Sequence, residues 1–275
     1  MRAKSGIEIK TPEQIQAMRR AGLVVARTLR VLREAVKPGL STADLNDLAV
    51  REIESAGATP SFLNYHGYPA VICASVNDRV VHGIPSTAEK LREGDIISID
   101  FGAIVDGWHA DSAITVTVGQ VSDDAAALSA ACERSMWDGI AAAREGARLS
   151  DISHAVETSV RRSGRYGIVA NYGGHGIGTE MHMAPHILNY GRPGKGPRLT
   201  PGMALAIEPM VTLGRRDTAV LDDDWTVVTV DGSLAAHWEH TVAILEDGPW
   251  VLTAEDGGRA ELGKRGVELS ARAAA

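Results

Sequence analysis

IDFGAIVDGWHAD, residues 99–111, decides how the chain folds. The apolar stretch ending in Ile99 delivers a carboxylate, Asp100, and a second carboxylate, Asp111, lies just before the apolar run ITV. Between them Asp106-Gly107 is a two-residue turn signal, which sets residue 105 opposite 108 in an antiparallel hairpin. In that register Asp100 faces Ala113, and Asp111 is its diagonal neighbour on the same face. Two carboxylates on one apolar face repel each other, and burial raises the cost. The plainer alternative is a pair of hairpin-edge acids in solvent. The apolar runs on both sides argue for burial, and a divalent cation is the readiest counter-charge.

Outward from the hairpin, the chain alternates helical and strand patterns. Thr11-Pro12-Glu13-Gln14 reads as a helix start with a capping box, and the helix runs to about Ala35, before Lys37-Pro38-Gly39. A second helix starts at Ser41 or Thr42 and ends near Gly57. Residues 70–82 and 95–118 read as strands with turn signals. Helices follow at about 122–145 and 150–163, then strand patterns at 203–213, 225–230 and 240–253. The tail, GRAELGKRGVELSARAAA, is rich in Gly, Ala and charge and is expected to fray or pack loosely.

The pattern also repeats. LSTADLNDLAVREIESAG at 40–57 resembles LSDISHAVETSVRRSG at 149–164, and LREGDIISID at 91–100 resembles LTPGMALAIE at 199–208. HADSAITV at 109–116 resembles HWEHTVAI at 237–244. Three matches in the same order predict two halves of like architecture, pairing Asp100 with Glu208 and Asp111 with Glu239. His175 sits in NYGGHGIG, whose small residues let backbone approach closely. Four carboxylates and an imidazole suit two adjacent divalent ions of Mn, Fe, Co or Zn. The glycine-rich stretch lacks the GKS/GKT and full GxGxxG of a phosphate cradle, HWEH is neither HExxH nor HxxEH, and no GxSxG is present.

The chain has 275 residues, 44% apolar and 23% charged, ordinary for a globular protein with a sizeable core. A net charge of −7 disfavours nucleic-acid binding, and no specific DNA contact is expected. Two cysteines, Cys73 and Cys132, suggest no disulfide framework. The start, MRAKSGIEIKTPEQ, lacks a signal-peptide core, and no run is apolar enough to span a bilayer. The expected location is the cytoplasm, with no membrane partner.

The ordered set Asp100, Asp111, His175, Glu208 and Glu239, with YHGYPAVICASVNDRVVHGIP before it and GHGIGTEMH within it, resembles the type I methionine aminopeptidases over about residues 8–253. The resemblance implies an α+β "pita-bread" fold, two pseudo-symmetric halves of curved antiparallel sheet with paired outer helices. It implies a single metallopeptidase domain over 11–255, with halves at about 11–120 and 121–255. Residues 1–10 would form an N-terminal segment and 256–275 a C-terminal tail. The implied activity removes the initiator methionine from nascent chains with a small second residue, by metal-hydroxide attack on the first peptide bond. Asp111 and Glu239 would bridge two ions, Asp100 would hold one, and His175 with Glu208 the other. Glu208 would also move the proton. His82 and His182 would face the substrate, and Phe62, Tyr65, Tyr68, Cys73, Met181 and Trp225 would line the methionine pocket. A polarizable, unbranched side chain suits such a wall. The family default is a monomer. Arg215-Arg216 and the basic loop at 192–198 are candidates for transient ribosome contact, against the plainer reading of solvated loops.

The sequence departs from the family pattern at His182-Met183-Ala184-Pro185, where HEEP is frequent. Phe62 and Met181 stand where Cys and Phe are often found, and His237 replaces a frequent Gln beside Glu239. None removes an expected ligand. The rival readings are an X-Pro peptidase of the same fold and a catalytically dead relative that binds peptides or nucleic acid.

Overall fold

The computed structural model describes residues 6–270. Helix α1 (Pro12–Ala35) starts as the sequence predicts: Thr11 caps it, Gln14 closes the capping box, and proline fills the first turn. Helix α2 (Thr42–Ser55) is capped the same way by Ser41 and Asp44. Next come β1 (Thr59–Pro60), a single 3₁₀ turn at Tyr65–Gly67, β2 (Ile72–Val76) and β3 (Arg79–Val81). The central hairpin follows as β4 (Ile96–Val105) and β5 (Trp108–Thr117). Helices α3 (Asp123–Ala142) and α4 (Leu149–Ser163) lead into β6 (Gly167–Ile168), β7 (Gly174–Gly176) and β8 (Met183–Ile187). The chain continues through β9 (Ala204–Ile207), β10 (Met210–Thr212), β11 (Thr218–Val220), β12 (Val227–Thr229) and β13 (Ala235–His237). It closes with β14 (His240–Leu245), β15 (Gly248–Val251) and α5 (Arg259–Gly263).

The hairpin register is the expected one. Val105 faces Trp108 and Asp100 faces Ala113, with no bulge. Asp106 (φ 52°) and Gly107 (φ 78°) both take the left-handed conformation that a tight turn matched to strand twist requires. The other face of β4 carries Ile97, Ile99 and Phe101, all fully buried. Each such side chain contributes roughly 1.5–3 kcal/mol of burial, which holds the ladder against α1. Helices α3 and α4 pack tightly on each other, close enough at Gly139 that a Cβ there would meet Val156 Cγ2 at 2.7 Å.

A second sheet runs β15-β14-β9-β7-β8, and every strand pairing among the described residues is antiparallel. The two parts are stitched backbone to backbone: Glu239 N–H donates to Ala113 O (2.9 Å) and Ala113 N–H to Glu239 O (3.3 Å). Among the described residues, no helix is long and apolar enough to cross a membrane.

Several elements differ from expectation. The 203–213 pattern is two strands, because Pro209 interrupts the ladder after Glu208. The 240–253 pattern is a hairpin turning at Glu246 and Asp247. Strands β6, β7, β8 and β11 are too short or too glycine-rich to show a period. The tail does not pack loosely over its described part. Leu262 is fully buried near the end of the short helix α5, Val267 joins the core, and Arg265 Nε donates to Asp138 at 2.7 Å. Two apolar residues hidden among charges suffice to dock it. Residues 1–5 and 271–275, the ends of the expected N-terminal segment and tail, lie outside the described residues.

Candidate active site

Each acid reaches the site by a different local device. Asp100 and Asp111 project from β4 and β5 on one face. The Asp111 backbone is locked by Thr241, whose hydroxyl accepts from Asp111 N–H (3.0 Å) and donates to Asp111 O (2.8 Å). Glu208 follows β9 directly, and Asn189 holds its carbonyl at 3.0 Å. Glu239 lies between β13 and β14, where the Ser112 hydroxyl donates to its carbonyl at 2.5 Å. His175 rises from β7, where a Cβ on Gly174 would meet Ala206 O at 2.2 Å and one on Gly176 would meet Ala184 O at 2.2 Å. The small residues around His175 are therefore what lets three strands close on it.

The acids are between 2% and 8% exposed. Their ion-pair contacts among the described residues are with histidines only. His175 Nε2 lies 3.4 Å from Glu208 Oε1, and His237 Nε2 lies 3.7 Å from Glu208 Oε2 and 3.8 Å from Glu239 Oε2. Burial pushes Asp100, Glu208 and Glu239 well above the ordinary carboxylate range, with the neighbouring Asp111 adding to it; burial lifts Asp111 to about 7. Burial depresses His175 and His237 to about 3, so both rings are neutral and can offer a lone pair. The His175 Nδ1–H donates to Gly176 O at 2.9 Å, which turns Nε2 toward the acids.

This donor set fits a divalent metal. Asp100 Oδ1, Asp111 Oδ1 and Glu239 Oε1 are buried with no hydrogen-bond partner. Such atoms are costly to bury unless a cation satisfies them. Asp111, His175 and Glu239 offer donor atoms within 4.8 Å of one another, and so do Glu208, His237 and Glu239.

Above the acids lies a cavity of about 390 Å³. Phe62, Tyr65, Tyr68, Cys73, Met181 and Trp225 line it together with His82 and His182, so it gathers every metal, catalytic and substrate-binding residue expected from the sequence. The Tyr68 ring meets Trp225 edge-on at 5.0 Å, and its single hydroxyl proton is shared between Ile72 O (3.1 Å) and Gly83 O (3.0 Å). Burial raises the pKa of Tyr68 and Cys73, so this wall is uncharged at neutral pH. His82 is held at φ 60°, a strained conformation that sets its ring 6.2 Å from Trp225, and burial lowers it to about 4. His182 is solvent-facing at the mouth, its Nδ1 2.9 Å from the Tyr65 hydroxyl and its ring 4.3 Å from that of His175.

Sequence reasoning missed two lining residues, Val81 and His66. Val81 alternates against its neighbour in a strand, and His66 adjoins Tyr65, so adjacency was the available signal. It also treated His237 only as a departure. His237 and Glu239 are two apart in extended chain and so face the same way, a signal that HWEH carried openly. Of the basic candidates, Arg215 pairs with Asp217 at 3.1 Å on the surface and Arg198 donates to Gly146 O at 2.9 Å.

An apolar pocket with an open mouth, floored by buried acids and an imidazole, is the arrangement of a metal-dependent hydrolase. The model of metallopeptidase family M24 matches residues 16–246. Methionine aminopeptidase 1 of Mycobacterium tuberculosis is 57% identical, the match spanning 92% of this chain and 97% of that protein. The crystal structure of a methionine aminopeptidase from Thermotoga maritima superposes with TM-score 0.89 at 41% identity, covering 91% of this chain and all of that one. A Xaa-Pro dipeptidase from Bacillus anthracis shares the fold alone, with TM-score 0.71 at 22% identity over 89% of this chain and 61% of that one. The chain belongs to metallopeptidase family M24, among its pita-bread methionine aminopeptidases.

Proposed function

We propose that the chain removes N-terminal methionine from nascent polypeptides whose second residue is small, at a centre holding two divalent ions. The observation that carries the reading is a methionine-sized, uncharged pocket that ends on four buried acids, of which Asp100, Asp111 and Glu239 have an oxygen without a hydrogen-bond partner. Asp111 and Glu239 would be shared by the two ions, Asp100 would hold one, and His175 with Glu208 the other. The bound ions, drawn from Co, Mn, Fe or Zn, supply the charge that makes water nucleophilic near neutral pH and polarises the scissile carbonyl.

The chain's own residues do the rest. Tyr68, Trp225, Cys73, Phe62 and Met181 bind the methionine side chain and exclude water. Glu208 takes the proton from the attacking water and returns it to the leaving amine. Its burial raises its pKa above the ordinary carboxylate range, which favours taking up a proton. His182 donates an N–H to the carbonyl oxygen as negative charge develops there, and His82 faces the backbone of the second residue.

In this reading residues 11–255 act as one metallopeptidase unit, its halves at about 11–120 and 121–255 each contributing two of the acids. The protein works as a cytoplasmic monomer, and the arginines at 192–198 and 215–216 offer transient contact with ribosomal RNA. Salt-dependent co-sedimentation with ribosomes, unchanged when those arginines become alanine, would count against that contact.

The test is hydrolysis of Met-Ala-Ser and of an Ala-Pro dipeptide by metal-stripped protein restored with each ion in turn. The expected result is cleavage of the methionyl peptide alone. Preference for Ala-Pro would transfer the chain to the X-Pro peptidases. Absence of both bound metal and turnover would make it a binding relative.

A further inference from the structure

His237 stands apart from the other buried histidines. Its side chain is 1% exposed, and its Nε2 has no hydrogen-bond partner. A core histidine normally places both ring nitrogens on partners within about 3.2 Å. The Nε2 of His237 instead points between two carboxylates, 3.7 Å from Glu208 Oε2 and 3.8 Å from Glu239 Oε2. Those separations are too long for hydrogen bonds. They suit two ligands on one ion, since donor atoms each about 2.0–2.2 Å from a metal stand roughly 3–4 Å from each other.

His175 offers the comparison inside the same site. Its Nε2 lies 3.4 Å from the other oxygen of Glu208, Oε1. Glu208 is thus flanked by an imidazole on each oxygen. The backbone that carries the His237 ring is fixed on both sides. Its N–H is shared between Ser98 Oγ (3.2 Å) and Thr115 Oγ1 (3.0 Å), and its carbonyl accepts from Thr115 Oγ1 at 2.8 Å. Ser98 and Thr115 belong to β4 and β5, so the strands that present Asp100 and Asp111 also position His237.

We propose that His237 is a sixth protein ligand of the metal centre, joining Glu208 and Glu239 on one ion and adding a second imidazole to the site. The proposal rests on the reading that this site holds divalent ions. It has a consequence for metal choice. A second nitrogen donor strengthens binding more for Co²⁺ and Zn²⁺ than for Mn²⁺, because imidazole suits the later ions and an all-oxygen set suits the earlier ones.

The experiment uses the full chain loaded with Co²⁺ and observed by proton NMR in water. Each imidazole bound through Nε2 displays its Nδ1–H far outside the ordinary window, and the signal disappears in D₂O. Two such signals are expected from the unaltered chain and one from His237→Gln. In a parallel titration, His237→Gln should lose roughly tenfold or more in Co²⁺ affinity, with a smaller loss for Mn²⁺. One exchangeable signal in the unaltered chain, with metal bound, would overturn the proposal and leave the metalloenzyme reading standing. That count does not depend on the variant folding. No bound cobalt at all by elemental analysis would remove the metal reading, and this proposal with it.

Discussion

The β4–β5 ladder and the β9–β14 ladder deliver acids to one site by opposite means. In the first, two ten-residue strands run without interruption, and Asp100 and Asp111 take their places from the pleat alone. In the second, Ile207 pairs with His240, and both acids fall where regular pairing stops: Glu208 before Pro209, Glu239 between β13 and β14. A continuous ladder fixes register but can aim side chains only perpendicular to itself. Breaks in a ladder permit other directions, at the cost of needing outside support. That support is visible as Asn189 on the Glu208 carbonyl and Ser112 on that of Glu239.

The largest expected effect tests whether the two ladders meet as equals. Asp111→Asn and Glu239→Gln remove one acid from each, at positions joined through the Ala113–Glu239 backbone pair. Each should reduce turnover by far more than the roughly 10–100-fold of an outer-shell change, with loss of bound metal. Near-normal turnover in either would end the assignment of those two acids between the ions. Unequal metal loss would show that one ladder holds the centre without the other.

Next in size is His182→Ala. The residue borders the acids without being one of the proposed ligands. Losing a donor to the developing oxyanion typically costs about 10²–10³ in kcat. Because that interaction strengthens only in the transition state, KM should move little. Bound metal and melting temperature should stay at their original values. Metal loss in this variant would make His182 a ligand, and a fall of less than about threefold would make it structural.

A smaller effect appears in stability against pH. The folded, metal-free chain retains protons on Asp100, Asp111, Glu208 and Glu239 that the unfolded chain has released by about pH 4–5. With raised folded pKa values, metal-free stability falls as pH rises from about 4 through the Asp111 value of about 7. Metal binding expels those protons, so the melting-temperature gap between loaded and metal-free protein should widen over the same span. The buried histidines slope the other way. Rings unaffected by loading, such as His240, largely cancel in the gap, while any change in His175 titration enters it. A gap that does not change with pH would show that the acids are ionised before metal arrives.

How much of this was legible in the sequence follows the same contrast. The continuous ladder announced itself through the apolar runs beside each acid and an Asp-Gly turn, and Asp100 opposite Ala113 could be placed to the residue. The capped starts of α1 and α2 were equally local. The broken ladder was not legible from pattern. Strands of three or four residues carry no period, and β7 is Gly-His-Gly, which has no strand propensity of its own. Its acids came from the faint repeat and from the family resemblance. His237 was in plain view two residues from Glu239, but its environment comes from Ser98 and Thr115, more than a hundred residues away, which no local reading supplies.

The smallest expected effect concerns what holds His182 ready. The Tyr65 hydroxyl lies 2.9 Å from His182 Nδ1, and the two rings pack at 5.3 Å. If the hydroxyl donates to Nδ1, the ring proton is left on Nε2, the nitrogen free to serve the substrate. Tyr65→Phe keeps the ring contact and removes only that bond. A neutral hydrogen bond of this kind contributes about 0.5–1.5 kcal/mol, which converts to a fall in kcat of roughly two- to twelvefold. The loss should stay well short of that in His182→Ala, because water at the mouth can reach Nδ1 and restore the same tautomer part of the time. KM for a methionyl peptide should hold, since the apolar wall is intact. A kcat equal to that of the unaltered protein would mean that Tyr65 does not set the tautomer. A loss as large as that of His182→Ala would place the Tyr65 hydroxyl on the substrate itself, and the mouth of the pocket, not only its floor, would then belong to the chemistry.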